Sequence, residues 1–325
     1  MCPERNPRYG LVDYKWSLDR ESSDAIIPRA GGVLLEPFEF VSPSSIDEAV
    51  KTLASNGDNV RILAGGTDML VQMRAGRRTA PLVVDIKGIP ELNAVSYDAS
   101  KGLTLGAAVP CYKIYQDKTL AEAYPGLMDS ASLIGGIQIQ GRASIGGNIC
   151  NAAPSGDAIP AVIALGGVCN VAGPNGTREI LVEDFCTAPG QNALQNGELL
   201  VSISIPAPQA NSGANYQRFI PRNEMDIAVA GVGSSVVLDS SGQNFVSARI
   251  SLASVAPTPV FAKEAGDSLA GKAVSEESIQ QASELAQAAA KPISDMRGTI
   301  RQRTHLIGVL TRRTLNNAIE RARGG

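Results

Sequence analysis

Two glycine pairs about eighty residues apart constrain this chain more than any other feature: "LAGGTDMLVQMR" at 63–74 and "SIGGNICNAAPSGD" at 144–157. In the second stretch only Ile145, Ile149 and Cys150 read as ordinary core residues. Gly65-Gly66 and Gly146-Gly147 allow the main chain to approach a ligand closely and to adopt angles closed to other residues. Gly65-Gly66 follow the strand-like "VRIL", so the N–H groups of the turn can point at one spot, as a diphosphate requires. No lysine follows as in a P-loop, and the spacing is not GxGxxG, so a standard dinucleotide fold is poorly supported. Asn148 and Asn151 carry donors and acceptors. Asp157 precedes an apolar helix, where it can cap or accept from ligand hydroxyls. One such loop is as well explained by a tight turn. Two in one domain point to the two sides of one long, phosphate-bearing ligand.

The chain has 325 residues, which argues for two or three domains. It is 44% apolar, 4% aromatic and holds 33 glycines, a composition that suits α/β or α+β and excludes a disordered chain. A formal charge of -3 speaks against a nucleic-acid binder. The cysteines at 2, 111, 150, 169 and 186 form no CxxC and no metal or iron–sulfur ligand set, so no cluster is expected in this chain. Their scatter suggests reduced thiols in the cytoplasm. The single histidine, His305, leaves no basis for a histidine metal site or a Ser-His-Asp triad and reads as a surface or interface residue. Residues 1–24 lack the apolar stretch of a signal peptide, and no run approaches the ~20 apolar residues of a membrane span.

Residues 1–35 read as an N-terminal extension, either a tail or an arm that wraps a partner. "FEFV" is a strand, followed by a helix capped by Ser44 or Ser45 with Ile46, Ala49, Val50 and Leu53 on one face. "NVRILAGG", "PLVVDIKGI", "KGLTLGAAVP" and "ELLVSISIP" read as strands, and "DAIPAVIALGGVCNVAG" runs from a buried helix into a strand. The stretch "PAPQANSGAN", 206–215, reads as a linker. "IAVAGVGSSVVLD" and "VSARISLASVAPTPVFA" then give antiparallel strands, and helices over roughly 275–290 and 295–323 close the chain. Tyr216 and Phe219 read as core residues, with a ligand contact as the alternative, and the arginines of 297–323 as a solvated helix face or an acid-binding surface.

"ILAGGTDMLVQMR" and "RASIGGNICNAAPSGD" resemble the two FAD-binding loops of the medium, flavoprotein subunit of the xanthine dehydrogenase and carbon monoxide dehydrogenase family of molybdenum hydroxylases. "REILVEDFCTAPGQNALQNGELLVSISIP", "YQRFIPRNEMDIAVAGVG" and "DMRGTIRQRTHLIGVLTRRTL" extend the resemblance over about 37–322. It implies an α+β protein: a two-part FAD-binding domain of the vanillyl-alcohol-oxidase (PCMH) type over 36–209, then a smaller α+β C-terminal domain over 214–323. It carries non-covalent FAD contacts onto Ala64, Gly65, Gly66, Thr67 and Asp68, and onto Ser144, Ile145, Gly146, Gly147 and Asn148. A polar contact falls on Asp157. Arg222 and Asp226 of "RNEMDIA" fall near the flavin end, and Arg218 stands where many relatives have lysine. "APGQNAL" replaces the family's "GPGKTAL", which removes a basic contact there.

The implied function is electron transfer. Substrate reacts at molybdopterin on a large subunit, and electrons pass through [2Fe-2S] clusters of a small subunit to FAD on this chain and on to an external acceptor. The implied assembly is a dimer of heterotrimers, with no catalytic residue and no metal here. The rival readings are a self-contained, non-covalent flavin oxidoreductase and a scaffold subunit that has lost its flavin.

Overall fold

The computed structural model describes residues 35–324; apart from Leu35, the expected extension lies outside the described residues. Chain order begins with a three-stranded parallel sheet in which Leu82–Asp85 lies between Glu39–Val41 and Val60–Leu63. Parallel sheets are covered on both faces, which suits the unbroken apolar run Leu82, Val83 and Val84. Helix Ile46–Asn56 packs Ala49 and Leu53 against Leu82 and Val84. Ser45 is its N-cap, accepting from the Glu48 N–H at 3.2 Å, while the Glu48 carboxylate returns to the Ser44 N–H at 2.8 Å.

The second part is a five-stranded antiparallel sheet, in the order Val95–Asp98, Gly102–Gly106, Leu199–Ile205, Val168–Gly173, Gly176–Leu181. The late strand Leu199–Ile205 enters its middle, so the intervening chain must cross the sheet and return. That excursion contains helices Pro125–Ala131, Ile145–Asn151 and Ala158–Ala164, which share one apolar core with the sheet. These two parts make up the N-terminal half of the described chain, and the four-stranded antiparallel sheet Ser212–Phe219, Ala230–Leu238, Phe245–Ala253, Val260–Phe261 follows. Helices Glu276–Ala289 and Ile300–Ala322 pack with it around a separate core. No described helix is long and apolar enough to cross a membrane.

The last sheet rests on the preceding part through helix Ala158–Ala164, all seven residues of which are buried. The Ser235 hydroxyl donates to the Ala164 carbonyl at 2.6 Å, and a Cβ at Gly233 would lie 2.6 Å from the Pro160 oxygen. Beside this contact the Asp129 carboxylate accepts from Asn215 at 2.6 Å, from the Tyr216 N–H at 3.1 Å and from Arg321 at 2.6 and 3.0 Å.

Three local expectations need correction. The linker expected over 206–215 is shorter, because Ser212–Phe219 is already strand. Gly213 belongs to that strand for a packing reason: a Cβ there would sit 2.6 Å from the Ala322 nitrogen of the last helix. That helix starts at Ile300 rather than 295, since the Asp295 carboxylate folds 295–298 into a turn by accepting from Arg297 and Gly298, and Thr299 caps the helix proper. Its arginines are not one solvated face. Arg303 is 4% exposed and binds Asp295 and the carbonyls of Val229 and Ser254, while Arg321 binds Asp129.

Candidate functional site

The first glycine pair sits between a strand and a short helix, and the second lies inside the first turn of another short helix. After strand Val60–Leu63 the chain turns through 64–68 into helix Met69–Arg74. Gly66 has φ +77, the left-handed region that favours glycine. Gly65 is required by approach: a Cβ would lie 2.8 Å from the Arg142 carbonyl carbon and 3.1 Å from the Ala143 Cα. The first glycine loop therefore lies directly on the chain leading into the second.

The second stretch, expected as a loop, contains a helix over Ile145–Asn151. Glycine and asparagine are poor helix formers. Here the cap and the packing prevail: the Ser144 hydroxyl accepts from the Gly147 N–H at 3.0 Å, and Ile145 and Ile149 enter the core. At Gly146 a Cβ would lie 2.6 Å from the Ala107 Cα, so this glycine serves packing. At Gly147 only the Ser144 hydroxyl comes near, at 3.0 Å, and the remaining space opens into the cleft.

The cleft between the loops measures about 290 Å³, near the lower end for small-molecule sites. It brings together Ala64, Gly65, Gly66, Thr67, Asp68, Ser144, Gly146, Gly147 and Asn148 of the expected residues. Among the described residues the N–H groups of Gly65, Gly66, Thr67 and Gly146 find no protein acceptor. Asp68 stands at the mouth, with enough protein around it to raise its carboxyl above the usual range. Gln72 crosses from the first helix to Asn151 of the second at 3.1 Å, bracing the two walls.

Four expected residues are not on the cleft wall. Ile145 is buried in the core behind it. Asp157 caps nothing; the Ala158 N–H instead donates to Asn148 at 3.2 Å. The Asp157 carboxylate accepts from the Tyr216 hydroxyl at 2.8 Å and from Arg218, both on the strand Ser212–Phe219. A buried carboxylate requires such partners. Burial pushes its pKa up to about 6, against the pull of Arg218 and Tyr216. Tyr216 is thus a core residue with a polar task, and its own hydroxyl is held above the ordinary range, first by burial and then by Asp157. Phe219, expected in the core, is 38% exposed. Arg222 is exposed and pairs with Asp226 within the 220–227 loop.

Sequence reasoning missed two cations on the cleft wall, Arg61 and Arg78. One Nη of Arg61 donates to the Asp58 and Val60 carbonyls, both at 2.8 Å, and its buried Nε has no partner. Arg78 donates to the Gly190 carbonyl at 3.3 Å. An arginine four residues ahead of a glycine pair was the available signal for Arg61; Arg78 is brought in only by the fold. Cys150 also lines the cleft, and burial, then Cys186, pushes its thiol up to about 12, so it is a neutral wall group. His305 is exposed on the last helix.

Residues 36–208 match the family described as the FAD binding domain in molybdopterin dehydrogenase, and 215–318 match the CO dehydrogenase flavoprotein C-terminal domain. The chain is 33% identical over 286 residues to the carbon monoxide dehydrogenase medium chain of Afipia carboxidovorans, covering 88% of this chain and 98% of the relative. It is 29% identical over 291 residues to the xanthine dehydrogenase FAD-binding subunit of Escherichia coli O157:H7, covering 88% and 99%. A chain of the carbon monoxide dehydrogenase of Hydrogenophaga pseudoflava, solved in a form lacking the Mo-pyranopterin moiety of its molybdenum cofactor, superposes with a TM-score of 0.85 at 31% identity over 89% of this chain and 99% of that one.

Proposed function

Because the chain belongs to the family of FAD-binding medium chains of the carbon monoxide and xanthine dehydrogenases, we propose that it holds FAD between its glycine loops as the electron-transfer subunit of a molybdenum hydroxylase complex. The observation that carries the reading is the set of N–H groups without a protein acceptor at Gly65, Gly66, Thr67 and Gly146, residues that line a cleft with two arginines. A diphosphate needs such donors, and neutral main chain supplies them at fixed positions. Arg61, with a buried unpaired Nε, adds a cation in a chain of formal charge -3. The cradle fits FAD on one further count: Gly147 leaves open the space a Cβ would fill.

In this reading Ala64 and Ser144 shape the two turns, and Asn148 offers its amide to the ligand while its oxygen holds the Ala158 N–H. Asp68 accepts from ligand hydroxyls, since a carboxylate suits a hydroxyl and opposes a phosphate. Ile145 holds the second loop from the core. Asp157 and Arg218 hold that loop from behind, and Arg222 stands on the exposed 220–227 loop, toward the flavin end.

FAD supplies the redox chemistry, which no side chain here provides. The cleft wall carries no histidine, and its one thiol stays protonated, so direct substrate chemistry has little support in this chain. Substrate would react on a large molybdopterin subunit, with electrons arriving through the [2Fe-2S] clusters of a small subunit, in a cytoplasmic dimer of heterotrimers.

The test is a comparison of two preparations. The isolated chain should carry flavin that acid precipitation releases into solution. It should be bleached by dithionite but not by a substrate that bleaches the flavin of the intact complex. Bleaching of the isolated chain by that substrate would make it a self-contained flavoenzyme, and a colourless chain that takes up no FAD would make it a scaffold.

A further inference from the structure

The first glycine loop lines the cleft and leaves the N–H groups of Gly65, Gly66 and Thr67 without protein acceptors, while two of its carbonyls are held. The carbonyls of Ala64 and Gly65 go to Arg142: its Nε donates to the Gly65 oxygen at 2.8 Å and an Nη to the Ala64 oxygen at 3.4 Å. Arg142 is exposed and is not part of the cleft wall. Among the described residues no carboxylate pairs with it, so its charge is directed at these two carbonyls. Its own backbone lies under Gly65, at the distance that makes glycine obligatory there.

Peptide planarity turns this into a statement about the cofactor. In a trans peptide the C=O of one residue and the N–H of the next point in opposite directions, and the described chain has no cis bond. Drawing the Ala64 oxygen outward turns the Gly65 N–H inward, and drawing the Gly65 oxygen outward turns the Gly66 N–H inward. A charged donor on the carbonyl side also polarises each peptide, which strengthens the N–H as a donor on the other side.

We propose that Arg142 is a positioning residue for the cofactor, clamping the first glycine loop from outside the cleft so that the Gly65 and Gly66 N–H groups face the diphosphate. The proposal rests on the FAD reading above and extends it to a residue that does not touch the ligand. The clamp also joins the two glycine loops, since Arg142 stands two residues before Ser144. Arginine suits the task because its planar fork reaches two oxygens at once, whereas a lysine ammonium carries the charge without the fork.

The experiment uses the full chain freed of FAD by dialysis, with FAD binding followed by quenching of flavin fluorescence. Arg142→Ala should weaken FAD binding about tenfold or more, the scale of a lost charge-assisted contact, and leave the melting temperature of the FAD-free chain within about 2 °C, because the side chain is exposed. Arg142→Lys should fall between parent and alanine variant. Methylguanidinium at ~20 mM should recover part of the affinity of the alanine variant and leave the parent unchanged, an effect general loosening would not produce. FAD binding within twofold of the parent in Arg142→Ala would overturn the proposal. So would a loss shared equally by both variants, with lowered melting temperatures and no rescue. A parent chain that binds no FAD would instead remove the reading beneath it.

Discussion

Gly147→Ala is expected to separate the stability of this fold from its cofactor affinity, leaving the first near the parent while lowering the second. The position lies in the first turns of helix Ile145–Asn151, where alanine is favoured over glycine by up to ~1 kcal/mol. The new Cβ meets only the Ser144 hydroxyl at 3.0 Å, and that hydroxyl must give by a few tenths of an ångström. The two effects oppose, so the FAD-free chain should melt within about 2 °C of the parent. The same methyl group points into the cleft where the diphosphate is proposed to pass. Displacing the phosphates from one or two donors should cost about 1.5–3 kcal/mol, roughly 10- to 150-fold in affinity. Gly146→Ala is the control. Its Cβ would lie 2.6 Å from the Ala107 Cα, a backbone atom that cannot step aside, so it should lose both melting temperature and flavin. Thermal melts of the FAD-free proteins and fluorescence titrations with FAD measure both quantities. Parent-like FAD affinity in Gly147→Ala would mean that the diphosphate does not cross this helix turn.

Other perturbations test the polar contacts around the site. The Asp157 carboxyl has a folded pKa of about 6 against 3.8 for the free group, so the folded state holds the proton more tightly and gains stability as pH falls through 6 toward 4. The urea stability of the parent relative to Asp157→Asn should therefore rise between pH 7.5 and 4.5; a fall would mean that the Arg218 ion pair outweighs burial. Asp129→Asn, which weakens a carboxylate accepting from Asn215, Tyr216 and Arg321, should cost about 1–3 kcal/mol in urea unfolding. In the Arg321→Gln background the same change should cost clearly less, and equal costs would show that the ion pair contributes nothing.

Strands and helices with a regular apolar period were legible from sequence because local spacing alone decides which face is buried. The buried Ala49 and Leu53 of the first long helix fall on the expected face. The nine cleft residues that meet were named through the resemblance of the two motifs, and the glycine pairs in them advertise a backbone requirement. The helix at Ile145–Asn151 was not, since propensity opposes it and only the Ser144 cap and the core contacts of Ile145 and Ile149 create it. Nor could sequence reveal that Asp157 meets Tyr216 and Arg218 some sixty residues later, or that Arg78 reaches the cleft. Those contacts follow from the packing of distant strands, and charge has no period to read. Arg303 and Arg321 looked like members of a charged helix face for the same reason, though each is bound to a carboxylate from another segment.

The burial of every residue of Ala158–Ala164 has a consequence for how the chain is made. Its apolar surface is completed by strands of the last sheet, chiefly Ala230–Leu238 and Phe245–Ala253, which leave the ribosome later. At ~5–20 residues per second, the ~90 residues between helix and last strand take on the order of 5–20 s to synthesise. During that interval the nascent FAD-binding half presents one uncovered face of this helix, and until Arg218 is made it also holds a buried-to-be carboxylate without its arginine. The first half of this protein is thus a natural client for chaperones, and its two halves are poor candidates for expression as separate modules.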